Sequence, residues 1–289
     1  MTQVTHVDGF ATEVVRLGAA GDAPYHIVYV PGNPGIPGYY GSTCVKLGLQ
    51  LNATAAIIGL RGHSIAPLLG PTTTFDLETQ CVHIAQFLQS EAESLRTASG
   101  ARGKAAPRLI VVGHSIGAYI ALQGAMKCAS SPRDEVACAV GLMPYLDNTG
   151  IEENYALRSK VRLAASWVAP IITLFVGVIA QLLGTLLPAA ARRALLSAET
   201  SKFDPPAARL TETAALSFRF VANMLGLFRS EAKNHETPFD FDALKDALGE
   251  DRVGLIYVDD SADFWAAAAS AQRAERNGIQ ARPRRWSSM

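Results

Sequence analysis

The sequence predicts an α/β protein with a mostly parallel sheet interrupted by one large, apolar, helical insertion, and three observations lead there. From residue 26 onward, short apolar runs rich in β-branched residues alternate with segments of helical period. At residues 108–119 such a run passes through Gly113-His114-Ser115-Ile116-Gly117 into Ala118-Tyr119-Ile120-Ala121-Leu122, a strand, a tight turn and a helix. The alternation stops near residue 144 and resumes with Val253-Gly254-Leu255-Ile256-Tyr257-Val258, leaving residues 144–251 as an insertion between two strands of one sheet.

The elements follow in order. Residues 4–17 read as an antiparallel hairpin around Asp8-Gly9, a two-residue turn signal. Residues 26–30 form a short buried strand that ends in Pro31-Gly32-Asn33-Pro34-Gly35-Ile36-Pro37-Gly38, where neither helix nor strand survives three prolines. This loop lacks Rossmann and Walker spacing, and its prolines lack the amides a phosphate cradle uses. Two readings of it stay open: a structural turn, or a rigid loop at the carboxyl end of a strand that aims the Asn33 amide at a nucleophile. Residues 53–60 are a further strand. Residues 75–96 place Leu77, Cys81, Ile84 and Leu88 on one helix face, with Thr74 or Asp76 as N-cap. The strand at 108–114, its helix to about residue 128 and a strand at 136–143 complete the first part. Asn33, His63, Ser115 and Met143 are expected at the carboxyl edge of the sheet, where parallel sheets bind ligands.

Ser115 has the placement of a nucleophile, because a serine on a sharp strand-to-helix turn is held in a strained backbone with its hydroxyl above the sheet. Composition excludes other classes. The 26 Lys and Arg balance the 26 Asp and Glu, so no basic field gathers nucleic acid. The four cysteines form no C-x-x-C pair and the six histidines no H-x-x-x-H pair, so neither metal nor cofactor is expected. With no signal-peptide pattern at the first residues, a reducing compartment is expected.

Residues 163–191 contain no charged side chain, enough for a membrane span by length. A single crossing would separate the strand at 253–258 from the strands it must join. The run is therefore expected to enter and return, or to lie flat, and Pro170, Gly177, Gly184 and Pro188 offer breaks for a hairpin. Arg158, Lys160 and Arg162 before it and Arg192 and Arg193 after it suit two cytoplasmic ends. An interfacial or monolayer-inserted hairpin ranks above a soluble hydrophobic lid, and a spanning helix ranks last.

A serine needs a base and an acid. After Val258 the acids are Asp259, Asp260 and Asp263, but no histidine follows His235. His114 adjoins the serine and leaves in another direction, and His235 lies in the insertion. His6, His26 and His83 belong to the hairpin, a strand and a helix. His63 sits at the right edge, though hydrogen bonding to its own loop is the expected role.

The loop at residues 30–40, Val112-Gly113-His114-Ser115-Ile116-Gly117-Ala118-Tyr119, Leu142-Met143-Pro144 and Asp263-Phe264-Trp265 together resemble the lipid droplet-associated hydrolase family, serine hydrolases of the α/β-hydrolase fold. The resemblance covers residues 4–265. It implies Ser115 as nucleophile, Asp263 as acid with Asp260 as runner-up, amides near Asn33 and Ile116 as oxyanion donors, and attachment to lipid droplets or endoplasmic reticulum on the cytoplasmic face. It also implies a final strand, a histidine and a closing helix after the D-x-W, signals this sequence lacks. The organisation expected is a hydrolase core at 1–143, a helical cap at 144–251 with the lipid-associating segment 163–191, a last strand and acid loop at 252–265, and a disordered tail at 266–289 with the final strand and helix missing. The function expected is hydrolysis of apolar lipid esters at a lipid monolayer or membrane surface, impaired without a triad histidine. A non-catalytic lipid-storage scaffold and an acyltransferase are the alternatives.

Overall fold

The computed structural model describes residues 2–18, 22–65, 73–128, 135–148, 155–201, 203–234, 237–258 and 268–284. Among the described residues eight strands form one sheet in the order β1-β2-β4-β3-β5-β6-β7-β8. They are β1 (Thr2–Val7), β2 (Phe10–Leu17), β3 (Tyr25–Val30), β4 (Ala53–Ile58), β5 (Arg108–His114), β6 (Val136–Leu142), β7 (Val253–Val258) and β8 (Gln280–Arg284). Only β2 runs against its neighbours. Asp8 (φ 50°) and Gly9 (φ 75°) close the β1–β2 hairpin, both in the left-handed region that a tight two-residue turn needs.

Around the sheet lie α1 (Gly41–Leu51), α2 (Leu77–Gly100), α3 (Ile116–Lys127) and α10 (Ala268–Arg276). Between β6 and β7 come α4 (Tyr155–Ala165), α5 (Ala169–Leu186), α6 (Ala189–Thr200), α7 (Pro205–Ala215), α8 (Phe218–Asn234) and α9 (Phe241–Leu248). Asp76 caps α2, accepting from Thr79 N at 2.8 Å. Strand β3 shows why its sequence is apolar without alternation: Val28 and Val30 pack with Ile84 and Phe87 of α2 and Ile120 of α3, while Ile27 and Tyr29 pack with Cys44 of α1. Both faces of the sheet are buried.

Residues 268–284 are not a featureless tail: α10 and β8 occupy them, and β8 pairs in parallel with β7, so the final strand is present. Pro283 and Arg282 hide this strand from a reading of apolar alternation. An edge strand tolerates both, because one of its sides needs no hydrogen-bonding partner. An ion pair between Arg273 of α10 and the buried Asp147 ties the segment down, and Asp147 also accepts from Phe239 N at 2.9 Å.

The central part of the apolar run, residues 169–186, is one helix, α5, with no hairpin turn inside it; residues 163–165 end α4 and residues 189–191 begin α6. Gly177 and Gly184 do not break it; they face the start of α8. A Cβ at Gly177 would lie 2.8 Å from Phe218 Cδ2, and one at Gly184 2.7 Å from the Leu216 carbonyl. The close helix approach offsets the usual cost of helical glycine. Pro170 sits in the first turn and Pro188 after the last, where proline is tolerated. Arg192 closes the end by donating to the Gly184 carbonyl at 2.7 Å.

Candidate active site

The register of the parallel strands brings Val30, His114, Leu142 and Ile256 to one edge. Ser115 follows β5 there, with φ 54° and ψ −126°, a conformation that costs a non-glycine residue about 1–3 kcal/mol. Its backbone is fastened on both sides: its N–H donates to Leu142 O at 3.0 Å, and its carbonyl accepts from Ala118 N at 2.9 Å and Tyr145 N at 3.1 Å. The side chain caps no amide of α3. The glycines two places either side are required sterically. A Cβ at Gly113 would overlap the Gly117 carbonyl, and one at Gly117 would overlap the Pro31 carbonyl.

The proline-glycine loop lies directly on this turn, since a Cβ at Gly32 would sit 3.0 Å from Ser115 Cβ. Asn33, Ser115 and Ile116 line one cavity of about 310 Å³, closed from the cap by Leu225, Phe228 and Glu231 of α8. Ile116 opens α3, so its amide has no acceptor within the helix. The Asn33 side chain turns toward the cap, its Nδ2 donating to Met224 O at 2.9 Å and to Glu231 Oε1 at 3.2 Å. A second, apolar cavity of about 160 Å³ adjoins the first, sharing Lys160, Leu225 and Phe228 and reaching Ala169 and Ile172 of α5.

The structure thus brings Ser115, Ile116 and Asn33 together. Asp263 and its runner-up Asp260 lie outside the described residues, as does His235. His63 is fully buried behind the loop, its Nδ1 2.7 Å from Pro34 O. Its partner is therefore the neighbouring loop, not its own. Burial holds its pKa down at about 4, against the opposing pull of that hydrogen bond. His114 Nδ1 meets the Tyr40 hydroxyl at 3.0 Å. His26 Nδ1 meets Thr54 Oγ1 at 2.6 Å, and His83 Nε2 meets Thr12 Oγ1 at 3.3 Å. His6 is on β1, four places from β5 across the sheet. None of these rings is assigned to the serine.

Sequence reasoning missed Glu231. The signal was a carboxyl on the buried stripe of α8, in step with Phe220, Asn223 and Leu227, where helical spacing asks for apolar groups. Burial pushes its pKa up to about 8, an effect that the Asn33 hydrogen bond moderates.

Comparison with known proteins bears on the fold and the family. A model of the family described as lipid-droplet associated hydrolase matches residues 23–279. A lipid droplet-associated hydrolase of Dictyostelium discoideum is 28% identical over 137 residues, 47% of this chain. The match spans 43% of that relative's own length, less than half. Among solved structures, a soluble variant of monoglyceride lipase from Saccharomyces cerevisiae superposes with a TM-score of 0.57 at 14% identity, covering 98% of this chain and 85% of that one. A haloalkane dehalogenase from Bradyrhizobium elkani gives 0.64 at 13% identity, over 99% and 89%. At such identities these likenesses establish the fold, that of the α/β-hydrolases. Together with the family match over residues 23–279, they lead to one assignment: the chain belongs to the lipid-droplet associated hydrolase family.

Proposed function

We propose that the chain is a serine hydrolase of apolar lipid esters working at a lipid surface, the lipid droplet first and the cytoplasmic face of the endoplasmic reticulum as its membrane counterpart. The observation that carries this is Ser115, strained on its turn and opening into a cavity whose apolar wall continues to α5. Ser115 Oγ attacks the acyl carbon while its proton passes to a base. The amides of Asn33 and Ile116 receive the oxyanion. Collapse expels the alcohol, which takes up a proton, and water then releases the acid from the acyl-enzyme. Asp263, or Asp260 in its place, orients the base. The adjoining apolar cavity suits an acyl chain.

The outer face of α5 supports the surface role. Trp167 (81% exposed) and Leu186 (75%) bracket Ile171, Leu174, Phe175, Val178 and Leu182, a single apolar stripe at helical spacing. It is the one helix among the described residues long and apolar enough to cross a membrane. Because it lies along α8, and the chain returns to the same sheet at β7, it suits lying in the interface rather than crossing.

Since His26, His63, His83 and His114 hold other partners and His6 lies on β1, away from the serine, we expect slow turnover by this 289-residue chain: lacking one triad member leaves about 10³ to 10⁴-fold acceleration over water. Labelling with a fluorophosphonate probe tests the reading. Ser115→Ala abolishes labelling and His63→Ala does not; labelling that survives Ser115→Ala overturns the hydrolase assignment. The same engaged histidines favour one alternative, a lipid-surface protein without turnover. For it, Ser115→Ala leaves droplet size unchanged in lipid-loaded cells, whereas charging the α5 face alters it.

A further inference from the structure

Glu231 is 3% exposed and lines the cavity that holds Ser115. Its one hydrogen bond within the described residues comes from Asn33 Nδ2 at 3.2 Å. Asn33 Nδ2 spends its other hydrogen on Met224 O, so α8 takes both donors of that amide group. The rest of the loop is held by the core: Gly32 by contact with the serine turn, Pro34 by His63. Asn33, between them, is fastened by its side chain to the cap alone.

We propose that Glu231 is a positioning residue of the Ser115 site: from the cap it holds the Asn33 side chain and so fixes the Asn33 backbone amide toward the oxyanion. This rests on reading Ser115 as the nucleophile and Asn33 as an oxyanion donor. The chemistry fits the role. A carboxyl kept neutral by burial accepts from the amide group without setting a negative charge beside a developing oxyanion; ionised, it would oppose that charge. The other groups facing it leave this logic intact. Lys160 of α4 borders the cavity, and Tyr145 offers a hydroxyl bonded to Asn148. Asp147 is paired with Arg273. Its helix neighbours Arg229 and Lys233 line a different cavity, with Asp76 and Thr79. The helix that carries Glu231 is also the one against which α5 packs through Gly177, at Phe218. One rigid element therefore joins the apolar outer face to the loop over the serine.

The test is equilibrium binding of n-octylboronic acid to the full chain, which needs no turnover. Boron accepts an electron pair from Ser115 Oγ, the hydroxyl proton leaves to solvent, and the tetrahedral boronate carries the charge the oxyanion would carry. Thermal unfolding of each variant is the control for an intact fold. At pH 7, Glu231→Ala weakens the boronate about tenfold or more, toward the hundredfold cost of losing an oxyanion donor. Glu231→Gln, whose carbonyl still accepts from Asn33, stays within about twofold, and both variants unfold cooperatively. Raising the pH from about 7 to about 9.5 weakens wild type relative to Glu231→Gln, because only wild type gains a buried negative charge. Wild-type affinity in Glu231→Ala, or a wild-type to Glu231→Gln ratio that stays flat with pH, overturns the inference. If Ser115→Ala binds the boronate as well as wild type, the nucleophile reading fails instead.

Discussion

Helices α3 and α5 are both strongly apolar, and they treat their large side chains in opposite ways. Helix α3 buries Ile116, Ile120 and Leu122 along with Gly117 and Ala118. Helix α5 turns its small residues inward, Gly177 and Ala180 buried and Gly184 against Leu216, and leaves Ile171, Leu174, Phe175 and Leu182 outside. In water the second arrangement is costly, since contiguous exposed apolar surface marks a site of interaction. In contact with hydrocarbon it is the favoured one: helices meet through small residues and present large ones to lipid. Apolar composition alone does not separate the two helices, whereas the placement of the small residues does.

The comparison breaks most sharply at Gly117. Gly117→Ala drives a methyl into the Pro31 carbonyl and should cost about 3 kcal/mol or more, seen as a large drop in Tm with loss of probe labelling at Ser115. A folded, labelled Gly117→Ala protein would mean that α3 does not pack closely against the Pro31 loop. Next comes the outer face. Converting Leu174, Phe175 and Val178 together to Asp should weaken binding to phospholipid-coated triolein emulsions about a thousandfold, taking at least about 1.4 kcal/mol per buried side chain. Because all three are exposed, Tm should move little. Unchanged emulsion binding would show that α5 is no lipid surface.

The smallest effect concerns the loop that α3 supports. His63 is neutral in the fold with its pKa down at about 4, so the unfolded chain takes up a proton first as pH falls below its usual value near 6.5. Stability from neutral His63 is present above that value and is lost as the pH drops toward about 4. His63→Gln should therefore be less stable than wild type at pH 7, and the gap should narrow by about 2 kcal/mol by pH 4.5 in urea titrations. A gap constant with pH would remove the buried neutral ring from the account.

Much of the core was legible because its demands are local. The serine turn needs glycine at positions 113 and 117 whatever surrounds it, the β1–β2 hairpin needs two left-handed residues, and Asp76 caps its own helix three residues on. Elsewhere local rules pointed the wrong way. Gly177 and Gly184 read as breaks, yet a neighbouring helix compensates them. Pro283 and Arg282 read as irregular, yet β8 is an edge. The anchoring carboxyls were hidden by distance along the chain: Glu231 meets Asn33 across 198 residues, and Asp147 meets Arg273 across 126.

By itself, then, the sequence determined the α/β alternation, the position of Ser115 and the presence of a long apolar segment, since each follows from backbone geometry or periodicity within about a dozen residues. Tertiary structure alone decided that residues 169–186 of the segment are one helix with its large side chains outward, that residues 280–284 pair with β7, and that a buried carboxyl of the cap hydrogen-bonds Asn33 of the loop beside the serine. Those outcomes depend on which distant surfaces come into contact, and burial, pairing and the protonation of a carboxyl have no meaning until they do.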